Sequence, residues 1–281
     1  MLSLVLGAIR RRWAQAALLF LVAAVAATGA AAAPSYIVAS TQALAESAVS
    51  YAIPGERVVS ADGRAPLGAD PSDQLDAFTN QVRAAMALPG FESVADLRIS
   101  GKVGAANAAL VYRDDACRHL LIEGACPAAP GEVAVNAALA AAAGLTVGQL
   151  VPLQVEGVTM PPSGLRAVGV FQARAPFEPY WGRSSGTRDA PVAGGRLAEN
   201  WMLTPLSTFS AMTAKPVNTI TPQASASLDL IATPASVRQT DPQVLALVFE
   251  QGATKLGGSG ITVRSGLRAL ADRIWLDQQL V

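Results

Sequence analysis

The chain has 281 residues, with 21 lysines and arginines against 21 aspartates and glutamates, so its formal net charge is zero. The chain has no surplus of positive charge to attract a phosphate backbone, and we therefore expect no nucleic-acid partner. Alanine is abundant and aromatic residues make up only 5% of the chain, which predicts a core built from Val, Leu, Ala and Ile.

An uncharged stretch covers residues 13–33. Three consecutive arginines precede it: Arg10, Arg11 and Arg12. Because about 20 apolar residues in a helix span the hydrocarbon core of a bilayer, this stretch predicts a transmembrane helix. The positive-inside rule then places residues 1–12 in the cytoplasm and residues 34–281 outside it, at the cell membrane.

A cleaved signal peptide is the alternative interpretation of this segment. A basic region, a short apolar region and the small residues at 30–33 resemble the pattern that signal peptidase recognises. Pro34 directly after the last alanine favours a retained anchor, and so does Trp13, because an indole ring is favoured at a membrane interface. Both interpretations place the rest of the chain outside the cytoplasm.

The chain has two cysteines, Cys117 and Cys126. Outside the cytoplasm, so close a pair favours a disulfide over a redox or metal site. His119 is the only histidine, so a zinc site is not expected. We expect no metal and no cofactor.

Residues 34–69 have an irregular or extended pattern. A helix is predicted to start at Asp70, because this residue can cap a helix whose first position is Pro71. Pro89 and Gly90 end it. Three strands are predicted next, over residues 94–99, 108–112 and 119–122. The last two strands are predicted to form a hairpin around Asp114 and Asp115.

The most regular pattern covers residues 131–171. A strand over residues 131–135 leads into a short helix over residues 137–143, which Asn136 can cap and Gly144 can end. Two further strands are predicted over residues 150–155 and 165–171.

Residues 172–199 are rich in Gly, Pro, Ser and Arg and predict a loop. The remaining predictions are strands over residues 201–203, 225–232 and 261–263, and helices over residues 241–256 and 265–281. Strands and helices in this order predict an α+β fold.

One short motif matches a pattern that is typical of a catalytic serine. Residues 182–186 match G-x-S-x-G, but a nucleophile elbow needs a helix after the serine, and helix-breaking residues follow here. A hydrolase of this kind also needs a histidine after the serine, whereas His119 precedes it. We expect a polar loop and no catalytic residues, so the chain is not predicted to be an enzyme.

The block GEVAVNAALAAAAGLTVGQLVPLQ, followed by LRAVGVFQ, resembles the extracytoplasmic domain of FtsX-like/MacB-like ABC transporter permeases. The single N-terminal span is similar to the first span of these proteins, and the segment LRALADRIWLDQQLV resembles the helix that precedes their second span. The resemblance implies a mixed α+β extracytoplasmic domain like the MacB periplasmic core. It also implies that the missing spans follow Val281, which would make the chain a fragment.

The implied function is the membrane-anchored part of a permease, whose outer domain relays ATP-driven motion to a substrate or partner. The implied partners are a separate cytoplasmic ATPase subunit, the remainder of the permease or a second permease copy, and membrane lipid. The alternative is a secreted or membrane-anchored binding module with a signal-peptide-like N-terminus.

Overall fold

The computed structural model describes residues 2–67, 70–185, 200–214 and 222–279. Its helices are α1 Leu2–Tyr51, α2 Pro54–Arg57, α3 Pro71–Ala85, α4 Ala137–Ala143, α5 Leu206–Ser210, α6 Pro234–Gln239, α7 Pro242–Gly257 and α8 Leu267–Gln278. The first six strands are β1 Val58–Pro66, β2 Phe91–Val103, β3 Ala106–Arg113, β4 Leu120–Gly124, β5 Glu132–Asn136 and β6 Leu150–Val151. The others are β7 Leu153–Gln154, β8 Val158–Thr159, β9 Leu165–Ala173, β10 Trp201–Leu203, β11 Thr213–Ala214, β12 Gln223–Ala232 and β13 Thr262–Ser265. A 3-10 helix covers Ala116–His119, and Pro179–Ser185 consists of two 3-10 turns separated by a kink at Gly182.

One mixed sheet organises the domain, with the strand order β13-β1-β12-β2-β3-β10-β5-β9-β4. The pairs β3–β10 and β5–β9 are parallel, and the other neighbours are antiparallel. The short strands β6 and β7 add to β9 and β2, while β8 and β11 form a separate ribbon. The α+β class predicted from the sequence is confirmed.

Helices cover one face of the sheet. Helices α1, α3, α4, α5, α7 and α8 contribute buried apolar residues to one core cluster with this face. Side chains alternate along a strand, so Ala95, Leu97 and Ile99 of β2 face the helices while Val94 faces the other way. A smaller apolar cluster occupies the opposite face.

Local capping signals produced several correct predictions. The Asp70 carboxylate accepts a hydrogen bond of 2.9 Å from the Ser72 amide at the start of α3. The Asn136 side chain accepts one of 2.8 Å from the Ala138 amide at the start of α4. Gly144 ends α4 with a φ of 63°, in the left-handed region that glycine adopts without strain.

The predicted strand over residues 150–155 is divided in two. Pro152 separates β6 from β7, and these strands pair with β9 and β2 respectively. Proline has no amide hydrogen to donate to a strand ladder, so one uninterrupted strand is not favoured there.

The irregular or extended structure predicted for residues 34–69 is wrong for residues 34–51 and Pro54–Arg57, which are helical, whereas β1 over Val58–Pro66 is extended as predicted. Helix α1 continues through Pro34 to Tyr51, and β1 follows after the short α2. Proline removes one hydrogen bond and bends a helix, but Ala45 and Val49 are buried against the domain. This packing stabilises the second part of α1.

The predicted hairpin around Asp114 and Asp115 is also wrong. Strand β3 pairs with β2 across a tight turn in which Gly104 has a φ of 59°, and β4 pairs with β9. Glycine at positive φ suits a two-residue hairpin turn. The residues after Asp115 instead form a 3-10 helix that leads the chain away from β3.

Candidate functional site

The first part of α1 is an apolar helix whose described side chains are exposed. Its large exposed side chains are Trp13, Leu18, Leu19, Phe20, Leu21, Val22, Val25, Tyr36, Ile37 and Val38. The segment Ala17–Tyr51 is long and apolar enough to cross a membrane, and its most apolar window has no residue buried in the protein. Signal sequences share these properties.

The structure describes the three arginines before this segment only as part of the helix backbone. Arg10, Arg11 and Arg12 belong to α1, and their side chains lie outside the described part of the chain. Trp13 is 75% exposed. The orientation across the membrane predicted from these residues therefore stays a prediction.

The second part of α1 packs on the domain. Ala45 and Val49 are buried in the main core, and the Glu46 carboxylate lies 2.7 Å from the Arg238 Nε in α6. This hydrogen bond lowers the pKa of Glu46. The pair is exposed and contributes little to stability, so the apolar contacts fix this part of α1.

Helix α8 lies antiparallel to the second part of α1. At its start, a Cβ added to Gly266 would lie only 2.6 Å from the Gly55 carbonyl oxygen. At its end, the Gln278 side-chain amide donates to the Thr41 carbonyl at 3.5 Å. Between these points Arg273 pairs with Glu56 at 2.8 Å. The chain in α8 therefore runs back toward the exposed apolar part of α1.

The predicted cysteine pair is at disulfide distance. Cys117 in the 3-10 helix and Cys126 after β4 are joined in the structure, with their Cα atoms 6.1 Å apart. Their covalent link closes the short segment that precedes β5.

A buried charged cluster lies on the sheet face opposite the helices. The Arg113 guanidinium on β3 contacts Asp96 on β2 and Asp229 on β12, both at 2.7 Å. The Ser60 hydroxyl on β1 donates to Asp229 at 2.5 Å. The three charged residues are almost fully buried, so we name Arg113, Asp96, Asp229 and Ser60 the Arg113 cluster.

Burial controls the electrostatics of the Arg113 cluster. Loss of water raises the pKa of Asp96, although the positive charges of Arg113 and Arg98 oppose the rise. Burial also disfavours the charged form of Arg113, but the carboxylates of Asp229 and Asp96 outweigh this effect and raise its pKa. Arg113 therefore stays charged and holds two carboxylates that water does not reach.

The kinked segment Pro179–Ser185 covers the Arg113 cluster. Arg113 donates to the Tyr180 carbonyl, and the Tyr180 hydroxyl donates to the Asp114 carbonyl at 2.6 Å. A Cβ added at Gly182, whose φ is 56°, would collide with the Asp229 carboxylate. The chain can approach the cluster this closely because position 182 is a glycine.

The single histidine packs against this covering segment. The His119 ring stacks on Tyr180 with 3.5 Å between ring centroids, and its Nδ1 lies 2.7 Å from the Glu178 carboxylate. Burial raises the pKa of Tyr180, so its hydroxyl remains a neutral donor. His119 is thus held by a ring and a carboxylate.

A cleft of about 420 Å³ opens beside the cover. Its polar lining includes Arg57, Glu92, Asp114, Asp115, His119 and Glu178. This volume is within the range of small-molecule pockets. Over the described residues, no group of three His, Cys, Asp or Glu side chains could hold a metal ion.

The G-x-S-x-G motif does not lie in a strand–turn–helix element. Gly182 forms a kink between two 3-10 turns, while Gly186 and the side chains of Ser184 and Ser185 lie outside the described part.

No residue of the Arg113 cluster is among the site residues predicted from the sequence. A signal was present, because Asp96 and Asp229 each interrupt an apolar strand and Arg113 ends one. Alternation alone predicts a solvent-facing side chain at such positions.

No protein-family description matches the chain, and a comparison with curated proteins finds no significantly similar sequence.

Proposed function

We propose that this chain is the membrane-anchored part of an FtsX-like/MacB-like ABC transporter permease. In this proposal residues 13–33 cross the cell membrane, residues 1–12 are cytoplasmic, and residues 34–281 form an extracytoplasmic domain resembling the MacB periplasmic core. The outer domain relays ATP-driven movement of the membrane helices to a substrate or partner.

The direction of α8 is the observation that carries this proposal. Helix α8 starts beside Gly55 and ends beside Thr41, only three residues after the exposed Val38. A chain that leaves Gln278 in this direction heads for the level at which α1 leaves the membrane. A second span would begin there, as a permease requires.

The continuity of α1 supports the proposed relay. One helix joins the exposed apolar part to Ala45 and Val49 in the core. Interiors of proteins are close-packed and transmit displacement. A movement of the membrane segment therefore reaches the sheet through the contacts of Ala45 and Val49.

The proposed partners follow from what the chain contains. Its sequence has no G-x-x-x-x-G-K-[ST] motif, which binds nucleotide phosphates in P-loop ATPases. The energy source is accordingly a separate cytoplasmic ATPase subunit. The remainder of the permease or a second copy, together with membrane lipid, completes the assembly.

A secreted or membrane-anchored binding module is the second candidate. The cleft beside Tyr180 favours it, because its volume of about 420 Å³ and its mixed charges suit a small polar ligand. The secreted form of this candidate predicts a processed N-terminus and a soluble product.

The decisive experiment uses the complete natural gene product with a C-terminal affinity tag. We expect its N-terminus to retain Arg10, Arg11 and Arg12, the protein to stay in the membrane after alkaline carbonate extraction, and an ATPase subunit to co-purify from detergent. A mature N-terminus directly after Ala33 together with release into the soluble fraction would overturn the proposal and favour the binding module.

Matched substitutions test whether α1 provides the attachment. Leu21 and Leu121 are 61% and 55% exposed. Leu21→Arg introduces a charge into the apolar segment, which opposes membrane insertion by about 2.5–3.5 kcal/mol. We expect it to lower recovery in the membrane fraction, whereas Leu121→Arg on β4 has no such effect.

A further inference from the structure

Four large apolar side chains are exposed on α7 and α8, and we name them the α7–α8 patch. They are Val244, Leu247, Trp275 and Leu276, with exposed fractions of 48%, 53%, 42% and 57%. Leu247 and Trp275 line a groove of about 380 Å³ between the two helices. Val244 lies one turn before Leu247, and Leu276 directly follows Trp275.

The patch lies at the end of the domain nearest the apolar part of α1. Helices α7 and α8 are antiparallel, because Glu250 pairs with Arg268 at 2.6 Å while Gln243 and Trp275 line the same groove farther along. Trp275 is three residues before Gln278, whose side chain reaches Thr41.

The spacing of two aromatic residues on α1 allows an estimate of the distance between the patch and a bilayer. Trp13 and Tyr36 are exposed, and 23 helical steps separate them by about 35 Å. This spacing fits aromatic residues at the two interfaces of a hydrocarbon core about 30 Å thick. Thr41 is then about 8 Å beyond Tyr36, and Trp275 lies roughly 4 Å farther along the antiparallel α8.

We propose that the α7–α8 patch contacts the lipid headgroup region, as a second attachment of the domain to the membrane. The inference rests on the proposed membrane anchor, because α1 sets the distance of the patch from the bilayer. Headgroups extend about 5–8 Å beyond the hydrocarbon core on each side. Helices α8 and then α7 pack beside α1 at about 9 Å per helix pair. A tilt of about 20°, ordinary for a membrane span, lowers the patch by about 3–6 Å when it is directed toward these helices, to about 6–9 Å beyond Tyr36 and so into the outer part of this layer.

The chemistry of the patch suits a lipid surface. Trp275 combines a large apolar ring with one N–H group, and tryptophan is enriched at membrane interfaces for this reason. Charged side chains of both signs, among them Arg268 and Asp272, line the same groove. Amphipathic helices lie in the interface with their apolar side chains toward the acyl chains.

Nitroxide spin labels on single introduced cysteines test the inference in the full chain reconstituted into phosphatidylcholine vesicles. Cys117 and Cys126 are joined in the structure, so a label attaches only to the new thiol. Leu276→Cys reports the patch, and Leu121→Cys is the control because its exposed fraction of 55% nearly equals the 57% of Leu276. Leu121 belongs to β4, the strand at the opposite edge of the sheet from β13.

We expect the label at position 276 to collide with oxygen several-fold more, relative to a water-soluble nickel chelate, than the label at position 121. Equal ratios would overturn the inference. Low collision with both reagents at position 276 would also overturn it, because this result indicates a covering protein.

A third label, on Leu21→Cys, distinguishes failure of the inference about the patch from failure of the proposed membrane anchor. High oxygen collision at position 21 with a water-like result at position 276 leaves the membrane anchor standing and rejects the patch. A water-like result at position 21 rejects both. All three sites are exposed, so the substitutions are compatible with folding.

Discussion

The two faces of the main sheet are buried in different ways. On one face, helices supply apolar side chains to a single core cluster. On the other, an irregular segment with Tyr180 and Trp181 covers a cluster in which Arg113 holds Asp96 and Asp229. The first face therefore gains stability from the apolar surface that it buries. The second face depends on ion pairs and hydrogen bonds to charged groups that the covering segment shields from water.

The largest expected effect is that of Arg113→Ala on the second face. The substitution leaves two buried carboxylates without their cation, and breaking a buried ion pair in this way costs about 3–5 kcal/mol. Urea denaturation followed by circular dichroism measures the loss. Arg118→Ala is the control, because its side chain is 79% exposed and its pair contributes less than about 1 kcal/mol. Equal losses in the two variants would contradict the comparison.

On the helix-covered face, Leu270→Ala is expected to lower the free energy of unfolding by about 2–5 kcal/mol, since it leaves a cavity in the core. Leu270 is 1% exposed. If the two faces are independent, its effect and that of Arg113→Ala add to within about 0.5 kcal/mol in the double variant. A larger deviation would mean that the faces are coupled. Leu121→Ala serves as the exposed control.

Replacing Cys117 and Cys126 together by serine tests how much their disulfide stabilises the second face of the sheet. The closed loop is short, so the chain-entropy estimate gives a loss of about 2–3 kcal/mol. Dithiothreitol should destabilise the wild-type protein by the same amount and leave the serine variant unchanged. Sensitivity of the serine variant to the reductant would show that another process is being measured.

The smallest expected effect is a dependence on pH. Burial raises the pKa of Asp96, so the folded protein binds a proton at pH values where the unfolded chain, with a pKa of roughly 4, has released it. This contribution is complete below that pH and is lost as pH rises through the pKa of the folded protein. We expect wild type to lose stability relative to Asp96→Asn as pH rises above about 4. A difference that is constant with pH would contradict this.

Capping signals were the most reliable guide to the fold. Asp70 and Asn136 each accept a hydrogen bond from a backbone amide at the start of a helix, as their positions predicted, and Asp241 does the same at the start of α7. Such signals are local, because the cap and the amide are only two residues apart. The same local reasoning failed at Pro34, where tertiary packing of α1 outweighs the preference of one residue.

The Arg113 cluster could not be predicted because it depends on register. Asp96 stands opposite Arg113, and Ser60 stands opposite Asp229, only in the observed strand order. Its burial further depends on Tyr180 and its neighbours, which come from a stretch predicted to be a loop. Neither the order of the strands nor the position of this cover is encoded within one short segment.

Helix α1 also has a mechanical consequence. From Trp13 to Ala45 it forms an arm about 48 Å long, with the domain clamped at one end. A rotation of about 10° about the clamp displaces the far end by about 8 Å. Pro34 lies within this arm, at the point where a helix bends most easily. The stiffness of this arm, and hence how much of a tilt at its exposed apolar end reaches the sheet, therefore depends strongly on Pro34.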